Sequence, residues 1–198
     1  MQAQLSASNL ACRRGDRLLF KGLSFELGSG EALHLTGANG TGETTLIRTL
    51  AGLTTPFAGE VSVEGEIGLL DERTALDPDL PLGKALSFWQ RVDGCTDPSK
   101  ALSVLGLEPL LDVPVRYLST GQRKRAGLAA LLNRGVPIWL LDEPLSGLDV
   151  AAIEHVTALI ALHIGDGGIA LIASHQPLAI EGLRSLAIED FAAREDAP

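Results

Sequence analysis

Three short segments carry residue types whose spacing could do chemistry. The first is Gly37-Ala38-Asn39-Gly40-Thr41-Gly42-Glu43-Thr44, followed by Thr45. Two glycines stand five apart, and a hydroxyl residue follows. This is the pattern of a phosphate-binding loop, in which backbone N–H groups converge on phosphate oxygens at a helix N-terminus. The pattern calls for lysine at position 43, and the chain has glutamate. The Thr44 hydroxyl is placed to reach Mg²⁺. The second segment is Leu140-Leu141-Asp142-Glu143. A carboxylate ending a buried strand is what a Mg²⁺-bound nucleotide requires, and the adjacent Glu143 can accept a proton from an attacking water. The third is Leu118-Ser119-Thr120-Gly121-Gln122, a serine and a glycine opening a helix, with an N-cap hydroxyl and bare amides. Each has a plainer reading: a strand-to-helix turn, a solvated loop start, and an ordinary capped helix.

The elements around these segments are legible from periodicity. Leu18 to Leu27 alternates like a strand and is broken at Gly28-Ser29-Gly30. Glu31 to Thr36 is a strand running into Gly37. Thr44 to Leu53 has helical spacing through Leu46, Ile47, Leu50 and Leu53, and Pro56 and Gly59 close it. Val61 to Val63 and Ile67 to Leu70 read as short strands. From Asp71 to about Leu132 the chain is polar, then mostly helical, with breaks at Asp93-Gly94, Pro109 and Pro114. Pro137 opens Ile138-Trp139-Leu140-Leu141, a run apolar on both faces, as a central parallel strand requires. Ala151 to Ile164 is a helix, Ile169 to Ala173 a buried strand and Leu186 to Ile188 an edge strand, while the tail Ala192 to Pro198 reads as frayed. Strands alternating with helices predict an α/β fold with a largely parallel sheet.

Composition bounds the function. The 198 residues carry 45% apolar and 21% charged residues, a globular balance. The net charge of −9 argues against a nucleic-acid partner. No uncharged apolar run is long enough to span a membrane, and Met1-Gln2-Ala3-Gln4-Leu5 does not read as a secretory signal. The two cysteines, Cys12 and Cys95, form no C-x-x-C motif, so neither a disulfide framework nor a cysteine zinc site is expected.

Order and spacing join the segments. A phosphate loop at 37, LSTGQ at 118, LLDEP at 140, Ser146-Gly147-Leu148-Asp149 after it, and a strand leading to Ser174-His175 occur in one sequence. Over nearly its whole length the chain resembles the nucleotide-binding subunit of ATP-binding cassette (ABC) transporters. The resemblance implies a P-loop NTPase with a RecA-like core, an antiparallel N-terminal β-subdomain and an inserted helical lobe at about 71–133, all in one ABC domain over residues 1–198. It implies ATP and Mg²⁺ as cofactors, and an ATPase that works as a homodimer with integral membrane subunits. Gly37, Ala38, Asn39, Gly40, Thr41, Gly42, Glu43, Thr44 and Thr45 would line the phosphates. Thr44 and Asp142 would hold the metal, Glu143 would activate water and His175 would position the γ-phosphate. Ser119, Gly121 and Gln122 would serve the ATP of the opposite subunit.

A narrower resemblance lies in Arg14 to Phe20, Gly22-Leu23-Ser24-Phe25, Leu50-Ala51-Gly52-Leu53 and Leu82 to Trp89. These phrases are similar to the ATP-binding subunits of the cytochrome c biogenesis haem exporter. That implies haem export or delivery, with the chain peripheral on the cytoplasmic face of a bacterial inner membrane. Other exporter subunits, and a non-hydrolysing regulatory module, are the alternatives. No C-x-x-C-H occurs, so the chain itself does not attach haem.

Three positions depart from the family pattern. Glu43 puts a carboxylate where an ammonium would meet the β- and γ-phosphates. Two unit charges about 4 Å apart interact by roughly 4 kcal/mol at an effective dielectric near 20. The chain is either an ordinary ATPase with one altered residue or a degenerate subunit. No aromatic stands near Cys12-Arg13-Arg14-Gly15 to stack on adenine, leaving Arg13 or Arg14 for that role. The glutamine that opens the helical lobe is replaced within Leu69-Leu70-Asp71-Glu72-Arg73, so Asp71 or Glu72 is expected in the metal-sensing place. Arg123-Lys124-Arg125 reads as a solvated helix face or a phosphate or partner contact. His155 and His163 read as surface residues and His34 as a packing residue. Phe88 and Trp89 read as core or as the lining of a partner groove.

Overall fold

The structure, a computed structural model, describes residues 3–94 and 99–193. Cys95, and the tail beyond Ala193, lie outside the described residues.

Two sheets organise the fold. β1 (Gln4–Arg14), β2 (Arg17–Gly28) and β4 (Ala58–Glu64) form an antiparallel sheet in the order β2-β1-β4. β3 (Ala32–Thr36), β5 (Ile67–Leu70), β6 (Ile138–Asp142), β7 (Ile169–Ala173) and β8 (Arg184–Ala187) form a parallel sheet in the order β5-β6-β7-β3-β8. β1 has no clean alternation in the sequence because it is bulged. Its register slips between Ala7 and Leu10, where Asn9 takes φ 48°.

The apolar runs of β6 and β7 are explained by two cores. Ile138, Leu140, Ile169 and Leu171 point to one side, where they meet α1 (Glu43–Leu50) and the antiparallel sheet through Leu46, Ile47, Phe20 and Leu23. Trp139, Leu141, Ala170 and Ile172 point to the other, against α4 (Thr120–Arg134) and α5 (Val150–Gly165). Every residue of both strands is buried, and burial of such side chains contributes about 1.5–3 kcal/mol each.

α1 is shorter than its periodicity suggested. It ends at Leu50, because Gly52 turns the chain with φ 73°, and Leu53 emerges 58% exposed. The helical segment consists of α2 (Leu82–Asp93), α3 (Ser99–Val104), two 3₁₀ turns and α4. Its breaks are physical. Gly94 caps α2 in the left-handed region, Pro109 starts one 3₁₀ turn and Pro114 precedes the other. The C-terminal half of α4 packs directly under β5: a Cβ on Gly68 would lie 2.0 Å from Leu131 Cδ1. Leu82 and Leu86 of α2 share the core that contains Leu141 and Ile172.

Two expectations are corrected here. The Arg123-Lys124-Arg125 run is not a solvated face. Arg123 donates to Leu118 O (2.8 Å), Lys124 to Asp142 O (2.8 Å) and Arg125 to Leu105 O (2.7 Å), and Lys124 is buried. Nor is His163 a surface residue. Its ring stacks on Trp139 with centroids 3.9 Å apart and planes 7° apart, and burial holds its pKa below the usual histidine range. His155 is exposed, as expected, and His34 is half-buried with Nε2 2.9 Å from Ser174 O.

Candidate functional site

The site lies at the carboxyl ends of β3, β6 and β7, where an open parallel sheet places its ligands. β3 ends at Thr36 and the chain turns through Gly37 to Gly42 into α1. Gly40 and Gly42 take φ 86° and 120°, which an L side chain adopts only under strain. Space also restricts Gly42, because a Cβ there would lie 3.1 Å from the Phe20 ring. Thr41 N–H donates to Ala38 O (3.1 Å), closing the turn. The first N–H groups of α1, on Glu43, Thr44 and Thr45, have no acceptor within their own helix.

Glu43 folds back over this loop. Its Oε1 lies 3.1 Å from where a Cβ on Gly37 would sit, and Thr41 Oγ1 lies 2.5 Å from the same point. A carboxylate therefore stands in the cradle that the loop makes. Burial pushes its pKa up, the His175 charge opposes this, and Glu143 and Asp142 add to the rise.

β6 delivers Asp142, which is 4% exposed. Burial raises its pKa, and a hydrogen bond from Thr44 and the Lys124 charge pull it back. Thr44 and Asp142 thus line the same cleft. Glu143 follows at φ 49°, an uncommon conformation for a residue with a side chain. Its N–H donates to Ala173 O (2.8 Å), extending the β6–β7 ladder by one step. Its Oε1 accepts from His175 N–H (3.1 Å) and lies 3.7 Å from His175 Nε2. Glu143 and His175 are therefore paired.

Asp71 and Glu72 join the group from the end of β5. With Thr44, Arg48, Arg73 and Asp142 they line a cleft of about 290 Å³. Asp71 pairs with Arg48 (3.6 Å) and accepts from Arg73 N–H (2.8 Å). Arg13 is already stacked, its guanidinium 5.4 Å from the centroid of Phe57, an exposed aromatic beyond the segment considered for adenine.

The LSTGQ segment is built as a helix start. Gln122 N–H donates to Ser119 Oγ (3.2 Å) and Ser119 N–H to Gln122 Oε1 (2.8 Å), a reciprocal capping box. Ser119 is exposed, whereas Gly121 is buried against the Ser146–Asp149 loop, and a Cβ on it would lie 2.3 Å from Gly147 O. Ser119 and Gly121 line neither the Thr44–Asp142 cleft nor the phosphate loop; they present a separate surface.

Two contributors escaped sequence reasoning. Lys124 was hidden within a basic run. Glu189, whose Oε1 accepts from Ala38 N–H at 2.6 Å, carries no motif at all. Only strand register could have pointed to it.

Oxygen donors from Thr44, Asp71, Glu72 and Asp142 line this cleft. Among the described residues no three His, Cys, Asp or Glu side chains converge to hold a metal unaided. Thr44 and Asp142 fit Mg²⁺, a hard cation that takes one or two carboxylates and completes its shell with phosphate oxygens and water.

This fold is that of an ABC transporter ATP-binding subunit. The family model for ABC transporters matches residues 20–146. The fold is shared by solved structures such as an ABC transporter ATP-binding protein from Pyrococcus furiosus (TM-score 0.81, 22% identity, covering 96% of this chain and 100% of that one). A dimeric ATP-binding cassette bound to ADP and phosphate gives TM-score 0.77 at 21% identity over 87% of this chain and 88% of that one. The chain belongs to the ABC transporter ATP-binding family and, within it, to the cytochrome c biogenesis ATP-binding export proteins called CcmA. The relative from Novosphingobium aromaticivorans is 57% identical over 94% of this chain and 96% of its own. The one from Zymomonas mobilis is 48% identical over 96% of this chain and 87% of its own.

Proposed function

We propose that the chain is the ATP-binding and ATP-hydrolysing subunit of an ABC membrane complex that exports or delivers haem during cytochrome c biogenesis. The observation that carries the hydrolytic reading is the convergence of Thr44, Asp142, Glu143 and His175 at three adjacent strand ends. The names of the curated relatives support the cytochrome c role.

In this reading the phosphates lie on the N–H groups of Gly40 and of Gly42 to Thr45, and Thr44 and Asp142 hold Mg²⁺. When bound, the ion neutralises charge on the β- and γ-phosphate oxygens. Glu143 takes the proton of the attacking water, and His175, held by its main-chain bond to Glu143, faces the γ-phosphate. Ser119, Gly121 and Gln122 complete the site of a second copy, so the working unit is a homodimer. The dimeric cassette bound to ADP and phosphate supports this arrangement.

Membrane subunits dock at a second cleft of about 390 Å³ between β5, α2 and α4, lined by apolar residues including Leu53, Leu69, Leu76 and Trp89. Asp71 and Arg73 line both this cleft and the nucleotide cleft, giving a direct connection between them. Phe88 is half exposed beside Trp89, at an edge-to-face contact of 5.3 Å. No helix among the described residues is long and apolar enough to cross a membrane, and we place the chain peripherally at the cytoplasmic face of the inner membrane. The helical segment at about 71–133 is the inserted lobe of one ABC domain spanning residues 1–198.

Glu43 weakens this function. Its carboxylate stands in the phosphate cradle and repels the group that belongs there. The same observation favours a second reading, a non-hydrolysing regulatory subunit. ATP turnover and Mg-ATP affinity of the chain and of Glu43→Lys separate the two. Restoring an ammonium should raise affinity or turnover at least a hundredfold, because several kcal/mol of repulsion become attraction, at about 1.4 kcal/mol per tenfold. If Glu43→Lys stays at background with membrane partners present, the regulatory reading stands. If the unaltered chain turns over at an ordinary rate, Arg48 or Arg73 supplies the missing charge.

A further inference from the structure

We infer that Glu189 is a positioning residue of the phosphate loop, its carboxylate serving as the last rung of the β3–β8 ladder. The inference rests on the nucleotide-site reading above.

β3 and β8 pair in parallel with Leu33 opposite Arg184 and Thr36 opposite Ala187. The separation along the chain is 151 residues, and Ala38 and Glu189 are separated by the same 151. Past Thr36 the two strands diverge. β3 enters the phosphate loop, and β8 winds into a 3₁₀ turn over Ile188–Phe191. A 3₁₀ turn directs its carbonyls along its own axis and can no longer offer one to the neighbouring strand. Ala38 N–H, next in the register, would have no main-chain partner and only solvent to bond. Glu189 Oε1 takes it instead at 2.6 Å, so a side chain continues a ladder that the backbone has abandoned.

That bond sets the loop. Ala38 is held through its N–H by Glu189 and through its O by Thr41 N–H (3.1 Å). The peptides on both sides of Ala38 are thus fixed, and the amides of Gly40 and of Gly42 onward are left to face a ligand.

A second contact from the same segment reaches the other end of the loop. Ala192 bridges to Phe20, and Ala193 N–H donates to Leu19 O (3.3 Å). Phe20 and Leu19 are the side chains against Gly42: a Cβ there would meet them at 3.1 and 3.2 Å. Ile188, fully buried, anchors the turn between these contacts. Residues 187–193 therefore hold both the first and the last stretch of the phosphate loop, at Ala38 and beneath Gly42.

The test compares Glu189→Ala with Glu189→Gln in the full chain, each with Glu43 and with Glu43→Lys. Two quantities are measured: hydrogen exchange of the Ala38 amide without nucleotide, and the dissociation constant for Mg-ATP. Glu189→Ala should speed Ala38 exchange in both backgrounds and weaken Mg-ATP binding about three- to tenfold in the Glu43→Lys background, the worth of one hydrogen bond. Glu189→Gln keeps an acceptor oxygen and should stay within about twofold on both measures. Unchanged exchange in Glu189→Ala, or equal losses in Ala and Gln variants, overturns the inference. If Glu43→Lys fails to bind Mg-ATP, the nucleotide-site reading falls, while amide exchange still decides whether Glu189 holds the loop.

Discussion

Lys124 Nζ donates to the main-chain oxygen of Asp142 across 2.8 Å, from a side chain that is 6% exposed. One bond thus ties the helix that begins at Ser119 to the strand end that carries Asp142 and Glu143. Burial lowers the lysine pKa, and the Asp142 carboxylate most strongly opposes that shift. Lys124→Met keeps the length of the side chain and removes the donor. It should cost about 1–3 kcal/mol of stability, the penalty for an unsatisfied buried carbonyl. Urea denaturation measures this, and a loss well below that range would mean that the carbonyl finds another donor.

Glu143→Gln preserves the shape of the side chain and its oxygen for the His175 N–H, but cannot accept the proton of a water. In the Glu43→Lys background it should bind Mg-ATP normally, lose turnover by two to four orders of magnitude, about the usual worth of general-base catalysis, and accumulate as a nucleotide-bound dimer. Turnover equal to that of the parent would move the general base to another residue.

Ser119→Arg should abolish nucleotide-dependent dimerisation, because it sets a bulky cation on the exposed helix start proposed to face the partner's ATP. The capping box is lost as well, at about 0.5–2 kcal/mol. Ser119→Ala loses only the cap. Sedimentation with Mg-ATP, again with Glu43→Lys, should show the alanine variant dimerising and the arginine variant monomeric. Dimers of both would remove Ser119 from the shared site.

The Trp139–His163 stack makes part of the stability pH-dependent. In the unfolded chain His163 takes a proton near pH 6.5. In the folded chain burial delays this to lower pH. Between those values the unfolded state binds more protons, so stability falls as pH drops below about 6.5 and is recovered above it. His163→Phe keeps a ring against Trp139 and removes the titration. The difference between the two proteins in denaturant midpoint should widen between pH 7 and pH 5, in favour of the variant. Parallel curves would show that the folded protein protonates His163 as readily as the unfolded chain does, and would remove the burial effect.

The site was legible in the sequence where the chemistry depends on adjacent residues. The glycine turn, Thr44, the Asp142–Glu143 pair and the helix cap at Ser119 are local patterns, and periodicity placed the strands that carry them. What escaped was set by contacts distant in sequence. Lys124 reads as one of three surface cations until β6 passes beneath it. His163 reads as exposed until Gly168, with no side chain, lets the ring lie flat; a Cβ there would be 2.3 Å from it. Leu53 continued the spacing of α1, yet Gly52 had already ended the helix. The bulges of β1 erased its alternation, and Glu189 is identifiable only once β8 has a register.

The strand order also has a consequence for biosynthesis. β1 and β2 are neighbours in sequence and pair with each other, so that hairpin can form while the chain is still emerging from the ribosome. β3 follows at once but has no early partner. Ala32 pairs with Ala170 and Leu33 with Arg184, 138 and 151 residues further along the chain. The strand that bears the phosphate loop must wait for its partners until residues 169–187 have been translated. The β3–β8 pair at the edge of the parallel sheet is then the last to form, and a nascent chain cut off before β7 would leave an apolar strand and its glycine-rich turn without a sheet to join.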